Sequence, residues 1–452
     1  MKFLKKKFSL IILIFSFFLL IYVFYKSEII HKGNRFNFYF IYYIFSSFLI
    51  FFSLITFFLN QKIKEYLIIT VLTFIISIYA AELFLSLPKE PHKVKKFEKL
   101  TGKKWDKRSK LEIYNDLKIE NNKITVTITP HFTRKKTQSS SSSPEIFPLG
   151  GVSNSETIYC NENGYYSIYQ SDRHGFNNPD EEWDNEKIEY LLVGDSFAHG
   201  ACVNRPNDIA SVLRILSHKS VLNLGYSNND PLIYYATLRE YLNSNVDKVI
   251  LFFYEGNDLS EQTMSYFKDN FINLYIKDLT FTQNLKTKQS EIDNYLKNEI
   301  DKEYRKKFKK KKDSKSLKFY QFIKLQKVRS IIYYYLPKRY RANYNRTFYQ
   351  SRLKDFKEIL ILTKNLIEKN NSNLYIVYLP EYERYLFNYD NTIYNEISQL
   401  VNQLKIPFID IHKEVFKKEQ DPLKLFPFGS HGHYNIEGYK KVADVINKFT
   451  KK

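Results

Sequence analysis

The sequence predicts an α/β fold, with a five-stranded parallel sheet covered by helices on both faces and three membrane-spanning helices ahead of it. Three observations lead there. The first 87 residues carry three long apolar runs. From about Lys187, short apolar runs alternate with helix-like stretches, which is the signature of strand–helix–strand units. Three of those strands end in turns rich in Gly, Ser and Asn, as expected where an open parallel sheet carries a site at the carboxyl ends of its strands.

The apolar runs are Phe8 to Tyr25, Phe36 to Leu59 and Tyr66 to Leu87. Each reaches the roughly 18–20 residues that a helix needs to cross a bilayer. Only the third contains a charge, Glu82. No small-residue cleavage site follows the first run, so it reads as a span and not as a signal peptide. Lys2, Lys5, Lys6 and Lys7 favour a cytoplasmic N-terminus, and three crossings then put the rest of the chain outside. The basic stretch Lys89 to Lys110 pulls the other way, but the first helix usually dominates and long domains translocate largely regardless of charge.

The expected organisation is a transmembrane region at 1–87, an entry region at 88–185, and an α/β domain at 186–452 with a helical insertion at about 259–350. The entry region holds KIENNKITVTIT (Lys118 to Thr129), which ends in strand-like alternation, and the serine run Ser139 to Ser143, which reads as an exposed loop. Tyr190 to Val193, Val221 to Leu224, Val249 to Phe253, Leu374 to Leu379 and Pro407 to Ile411 read as buried strands. Leu232 to Leu242, Leu353 to Glu368 and Glu437 to about Phe449 read as helices. The insertion contains the basic run Lys306 to Lys312 and is expected to sit above the sheet as a cap or side subdomain.

The net charge of +21 is spread over the chain, and Lys, Asn, Ile, Phe and Tyr crowd it while Gly and Pro number only 13 each. That contrast follows AT-rich codon usage. It makes the charge a compositional trait first, with anionic lipid or polysaccharide as the functional option. No zinc-finger, RRM or helix-turn-helix pattern points to nucleic acid. Two cysteines far apart and nine histidines without ligand spacing give no metal site, and no P-loop or dinucleotide fingerprint implies a cofactor. Cys160 and Cys202 can bridge in an oxidising compartment, which would tie the entry segment to the rim of the site.

The chemistry sits at the strand ends: Gly194-Asp195-Ser196-Phe197 after the first, Gly225-Tyr226-Ser227 after the second and Glu255-Gly256-Asn257-Asp258 after the third. A serine hydroxyl needs a neighbouring base to become a nucleophile. The tetrahedral intermediate of acyl transfer needs donors aimed at its oxyanion. Ser196 is the candidate nucleophile. The N–H groups of Ser196 and Gly225 and the side-chain amide of Asn257 are the candidate oxyanion donors. His433, on the loop before the last helix, is the candidate base. Asp195 is expected to hold the nucleophile turn by local hydrogen bonds, and His174 and His199 are expected to be structural.

These blocks, GDSF at 194–197, NLGYS at 223–227, YEGND at 254–258 and GHYNIEGY at 432–439, resemble in order and approximate spacing the SGNH or GDSL serine hydrolases. SDRHGFNNPD (Ser171 to Asp180) is similar to the lead-in of membrane-anchored bacterial members. The resemblance covers roughly residues 160 to 450. It implies a flavodoxin-like three-layer fold, acyl-ester chemistry, often on carbohydrate, and a place in a bacterial inner membrane. One departure stands out. The family usually places an aspartate two or three residues before the histidine, and here those places hold His431 and Ser430. The expectation is therefore a Ser196–His433 dyad, with a backbone carbonyl, Ser430 or a carboxylate folded nearby holding the ring; Asp410 is one such carboxylate but ends the fifth strand and reads as structural, and His431 reads as part of the rim.

Three functions fit these residues. An esterase would remove acyl groups, such as acetyl, from a cell-surface glycan. An acyltransferase would pass the acyl group to a polysaccharide, and three helices are too few for an acyl-donor channel, so it would need a membrane partner as donor. A glycan-binding domain on a retired hydrolase fold would account for the missing aspartate, since fold does not fix function.

Overall fold

The protein is described by a computed structural model over residues 2–33, 35–87, 90–129, 146–260, 269–310, 314–335, 346–386 and 389–451. The chain forms two compact units, Met1–Lys89 with Lys309–Ser351 and Glu90–Phe308 with Arg352–Lys452.

The first unit contains three long helices, α1 (Lys2–Phe24), α2 (Phe36–Thr56) and α3 (Gln61–Ser86). All three are long and apolar enough to cross a membrane. Their outward faces expose Phe15, Phe18, Phe48, Phe51 and Phe74. Contiguous apolar surface on that scale is foreign to a water-facing monomer and natural against lipid. Several of their hydroxyls are buried and bond within the helix: Ser46 Oγ donates to the Tyr42 carbonyl at 2.7 Å, Ser53 Oγ to the Ile50 carbonyl at 2.7 Å and Thr56 Oγ1 to the Ser53 carbonyl at 2.6 Å. Asn60 starts α3 by accepting the Ile63 N–H at 2.9 Å.

The second unit opens with a small sheet of β1 (Ile124–Val126), β2 (Glu156–Ile158) and β3 (Ile168–Gln170). The main sheet follows, with β4 (Ile188–Val193), β5 (Val221–Asn223), β6 (Val246–Tyr254), β7 (Asn373–Leu379) and β8 (Phe408–Asp410). All its neighbours are parallel, in the order β5-β4-β6-β7-β8. This is the flavodoxin-like order 2-1-3-4-5. Leu192 pairs with Asn223 on one side and Ile250 on the other, so β4 ends at the switch point between its two neighbours. Leu191, Leu192 and Val193 are wholly buried. Strands covered on both faces read as continuous apolar runs, which is why these five stand out in the sequence.

The covering helices are equally explicable. In Ile436–Thr450, Tyr439, Val442, Ala443 and Ile446 form one buried stripe, and Asn435 caps it on the Gly438 N–H at 3.0 Å. Pro231 sits in the first turn of Pro231–Tyr241, where its missing N–H costs nothing, behind the Asp230 cap. The helix His92–Thr101 buries Val94 and Phe97. The Phe97 ring meets Trp105 and Phe428 edge-on, and Lys96 Nζ donates to the Phe428 carbonyl at 3.0 Å. The entry region thereby braces the loop that leads to His433.

The insertion divides. Its first part, including Tyr275, Gln283 and Leu285, docks on the buried Glu240 carboxylate of the sheet unit. Residues 309–351 belong to the unit of the apolar helices. Lys311 and Lys312 of the basic run lie outside the described residues, as do Ser139 to Ser143.

Candidate active site

Ser196 opens a single helical turn, Ser196–His199, directly after β4. Asp195 makes that turn. Its Oδ1 accepts the Phe197 N–H at 2.9 Å, and its Oδ2 accepts Asn257 Nδ2 at 3.2 Å. Asp195 thus links the first and third sequence blocks. Burial raises its pKa, and the Phe197 N–H and the nearby His433 pull it partly back.

The turn is seated on a buried polar staple supplied by the SDRHGFNNPD segment. Asp172 accepts the N–H groups of His174 and Phe176, the Asn178 amide and the Trp183 indole. Burial pushes its carboxyl up to about 6 even so. Asn178 Nδ2 also donates to the Asn223 carbonyl, and Asn177 Nδ2 to the His199 carbonyl. His199 itself lies among the rings of Tyr159, Tyr169 and Tyr226, and burial pushes its pKa down to about 3, so it is neutral and structural. His174, against Trp183 and Tyr241, is likewise neutral, at about 4 through burial and the charges of Lys286 and Arg173.

His433 Nε2 lies 2.8 Å from Ser196 Oγ, across 237 residues of chain. Its ring packs on Phe197 at a centroid distance of 4.8 Å, and Phe197 in turn stacks on Tyr254. The other ring nitrogen, Nδ1, faces Glu162 Oε1 at 3.1 Å, while Glu162 Oε2 accepts the His433 backbone N–H at 2.7 Å. The carboxylate folded against the ring of the expected Ser196–His433 pair is that of Glu162. The acid arrives from the entry region instead of from the histidine loop. Burial alone would lower the His433 pKa, but the charge and hydrogen bond of Glu162 more than reverse this and raise it above the ordinary histidine value. Conversely, burial would raise the Glu162 pKa, and the charge and hydrogen bonds of His433 hold it below the ordinary value.

Ser430, His431 and Asp410 have other partners. Ser430 N–H donates to the Pro427 carbonyl. His431 is largely exposed, 3.4 Å from Glu383. Asp410 caps the helix Ile411–Glu414 and accepts the Tyr394 hydroxyl at 2.6 Å.

Of the three expected oxyanion donors, the Ser196 N–H makes no hydrogen bond among the described residues and stands at the start of a helical turn. The Asn257 amide spends one hydrogen on Asp195. The Gly225 N–H donates to Asn223 Oδ1 at 2.9 Å, and Asn223 Nδ2 donates to the Ala198 carbonyl at 2.9 Å. Gly225 does need to be glycine. A Cβ there would lie 2.6 Å from the His199 nitrogen and 2.7 Å from the Ala198 carbonyl carbon. The close approach it permits is to the nucleophile turn.

Cys160 and Cys202 form a disulfide. Glu162 lies two residues beyond Cys160, and Cys202 Sγ is 3.8 Å from His433 Nδ1. Glu162, Cys202 and His433 bring metal-ligand atom types within 4.8 Å of one another. A disulfide sulfur is not a thiolate, however, and the carboxylate and imidazole are already paired, so the donor set does not fit a metal ion.

Sequence reasoning allowed for a carboxylate folded near His433 but did not single out Glu162, because no local pattern in the entry region names its partner. The available signal was the cysteine pair, since a bridge from Cys160 to the rim carries Glu162 with it. The site can thus supply a nucleophile, a base with an anionic partner and oxyanion donors, the parts of acyl transfer.

No family model and no curated protein matches the chain. Among solved structures, a protein of the G-D-S-L family from Desulfitobacterium hafniense DCB-2 is similar at 15% identity and a TM-score of 0.32, over 58% of this chain and 99% of that one. At that level of likeness, the sheet order and the hydrogen bonds around Ser196 are the grounds on which a function has to rest.

Proposed function

We propose that this chain is a membrane-anchored serine esterase of the SGNH/GDSL kind, acting outside the cytoplasm on acyl esters, with acetyl esters of cell-surface carbohydrate as the substrate class. The observation that carries the reading is the continuous chain of contacts from Ser196 Oγ through His433 to Glu162. Ser196 attacks the acyl carbonyl and passes its proton to His433 Nε2. Glu162 stabilises the imidazolium through Nδ1. The Ser196 N–H and the Asn257 amide receive the oxyanion. His433 then returns the proton to the leaving alcohol, and the same steps with water release the acid. Glu162 also weighs against a retired, purely binding domain, a reading that rested on the lack of an acidic partner for the histidine. The cysteine pair favours the outside orientation, because disulfides persist in oxidising compartments.

The test is fluorophosphonate labelling of the full chain in detergent, wild type against Ser196→Ala, followed by product analysis with acetylated glycans. Labelling confined to the wild type, with free acid as product, supports the esterase. Acyl transfer to a glycan hydroxyl without free acid would replace it with the transferase. A folded wild type that resists the probe would remove the enzyme reading altogether.

A further inference from the structure

The part of the insertion that joins the apolar helices is a helical hairpin, Ser314–Ile323 followed by Gln326–Tyr335. It is fixed to the carboxyl end of α3. The Glu82 carboxylate is buried, and it accepts the backbone N–H groups of Lys327 at 2.9 Å and Val328 at 2.8 Å, capping the second helix. One turn earlier, the Tyr79 hydroxyl donates to the Ile323 carbonyl at 3.0 Å, and the Tyr79 ring meets Phe322 at 5.4 Å. The lone charge in the three apolar runs is thus spent on this hairpin, where a negative group also complements the helix dipole. A carboxylate inside an apolar span normally has such a specific partner.

The depth of the attachment follows from helix geometry. α3 has 26 residues, about 39 Å at 1.5 Å per residue, against a hydrocarbon core of about 30 Å. Centred, it overhangs by about 4–5 Å at each end. Glu82 lies four residues from Ser86, about 6 Å from the end, at the boundary between acyl chains and headgroups. Interfacial amphipathic helices lie at that level.

The composition of the hairpin fits the location. Residues 314–335 contain Lys315, Lys318, Lys324, Lys327 and Arg329 and no acidic residue. Phe319, Ile323, Ile331 and Ile332 are exposed, as are Lys318, Lys324, Lys327 and Arg329. Lys324 Nζ sits 4.1 Å above the Tyr320 ring. Exposed apolar side chains interleaved with long cationic ones are costly in water. They are stable where the stems enter lipid and the ammonium groups reach anionic headgroups.

We infer that this hairpin is a membrane-interface element that lies in the headgroup region of an anionic bilayer, pinned to the third span by Glu82. The inference is independent of the catalytic reading.

Because the two native cysteines are paired, a single introduced thiol can be labelled. Phe319→Cys and Ile332→Cys would each carry an environment-sensitive fluorophore in the full chain, reconstituted in nanodiscs of phosphatidylcholine with or without phosphatidylglycerol. The expected result is blue-shifted emission, quenched by lipids spin-labelled near the headgroup, with quenching stronger in the anionic discs. Replacing Lys324, Lys327 and Arg329 with Gln should abolish the preference for anionic lipid while the chain stays inserted. Tyr79→Phe, milder than any change at Glu82, should reduce the quenching. Emission unaffected by the spin-labelled lipid at both positions would overturn the inference and leave a protein partner as the occupant of this face. Quenching equal in neutral and anionic discs would overturn it too, because the cationic side chains would then have no role.

Discussion

Glu162 holds His433 with both carboxylate oxygens, one on the ring nitrogen and one on the backbone N–H, across 271 residues of sequence. This double contact fixes the ring and its tautomer together, because the backbone bond positions the acid whose other oxygen receives Nδ1–H. In a serine protease triad, replacing the acid by its amide lowers kcat by about 10,000-fold through the wrong tautomer. Glu162→Gln should therefore lower kcat by about 100- to 10,000-fold, with KM little changed. The pH profile gives a second readout. Glu162 raises the His433 pKa, and the base works in its neutral form, so wild-type activity climbs as pH rises through that elevated value. In Glu162→Gln the acidic limb should move to lower pH while the plateau falls. A plateau that falls with an unmoved limb would mean that Glu162 is structural only.

Gly432 makes room for that carboxylate. A Cβ at 432 would lie 2.6 Å from Glu162 Oε2 and 3.0 Å from its Cδ. The obstruction is the far end of a side chain and not backbone, so it can yield. Gly432→Ala should therefore displace Glu162 and cut the phosphonate labelling rate at least tenfold, with thermal stability nearly unchanged. Equal labelling rates in a folded variant would show that the carboxylate can swing without loss of function.

The legible part of the fold was the part built from periodic burial. β4 to β8 are covered on both faces, so their apolar runs announce them, and only their ends moved, as when β5 stops at Asn223 because its side chain turns to bond Gly225 and Ala198. The candidates Ser196, Asn257 and His433 stand out in the sequence because each sits at a strand end or beside a helix start in a distinctive block. Two things were not legible, for one physical reason. Glu162 and the hairpin at 314–335 each act on a partner remote in sequence, and a carboxylate in CNENG or a lysine in a lysine-rich stretch has no local pattern that names its partner. Glu82 shows the same limit in reverse, since its charge was conspicuous but the backbone groups it caps lie some 245 residues away.

The disulfide is the mechanical link between the entry region and the site. It closes a loop with a sequence separation of 42, which by chain entropy corresponds to about 4 kcal/mol of constraint on the unfolded state. It also anchors the backbone two residues from Glu162. Replacing both cysteines with serine should lower the unfolding temperature. It should also reduce kcat more than KM, because Ser196 and the backbone around it remain while the acid loses its tether. Reductant should reproduce both effects in the wild type and neither in the double variant. Full activity after verified reduction would show that the contacts of Glu162 suffice without the bridge.

The loop that presents Asn257 rests on a second buried pair. Glu255 and Arg384 are almost wholly buried, with side-chain exposures of 0% and 4%. The guanidinium bonds both carboxylate oxygens, while Glu255 also accepts the Glu381 N–H at 3.2 Å. Burying two charges is expensive, and the pair is stable because each satisfies the other. Arg384→Met should leave an uncompensated carboxylate and cost about 3–5 kcal/mol. Adding Glu255→Gln should recover part of that loss, because the amide needs no counter-charge and can still accept the Glu381 N–H. Chemical unfolding of the single and double variants measures this coupling directly. Activity should follow a different order from stability. The double variant, although restabilised, lacks the fork that orients residues 255–257, so its oxyanion donor is less well placed and its kcat stays low. If kcat recovered along with stability, Asn257 would be positioned by Asp195 alone, and the buried pair would serve only the packing of β6 and β7.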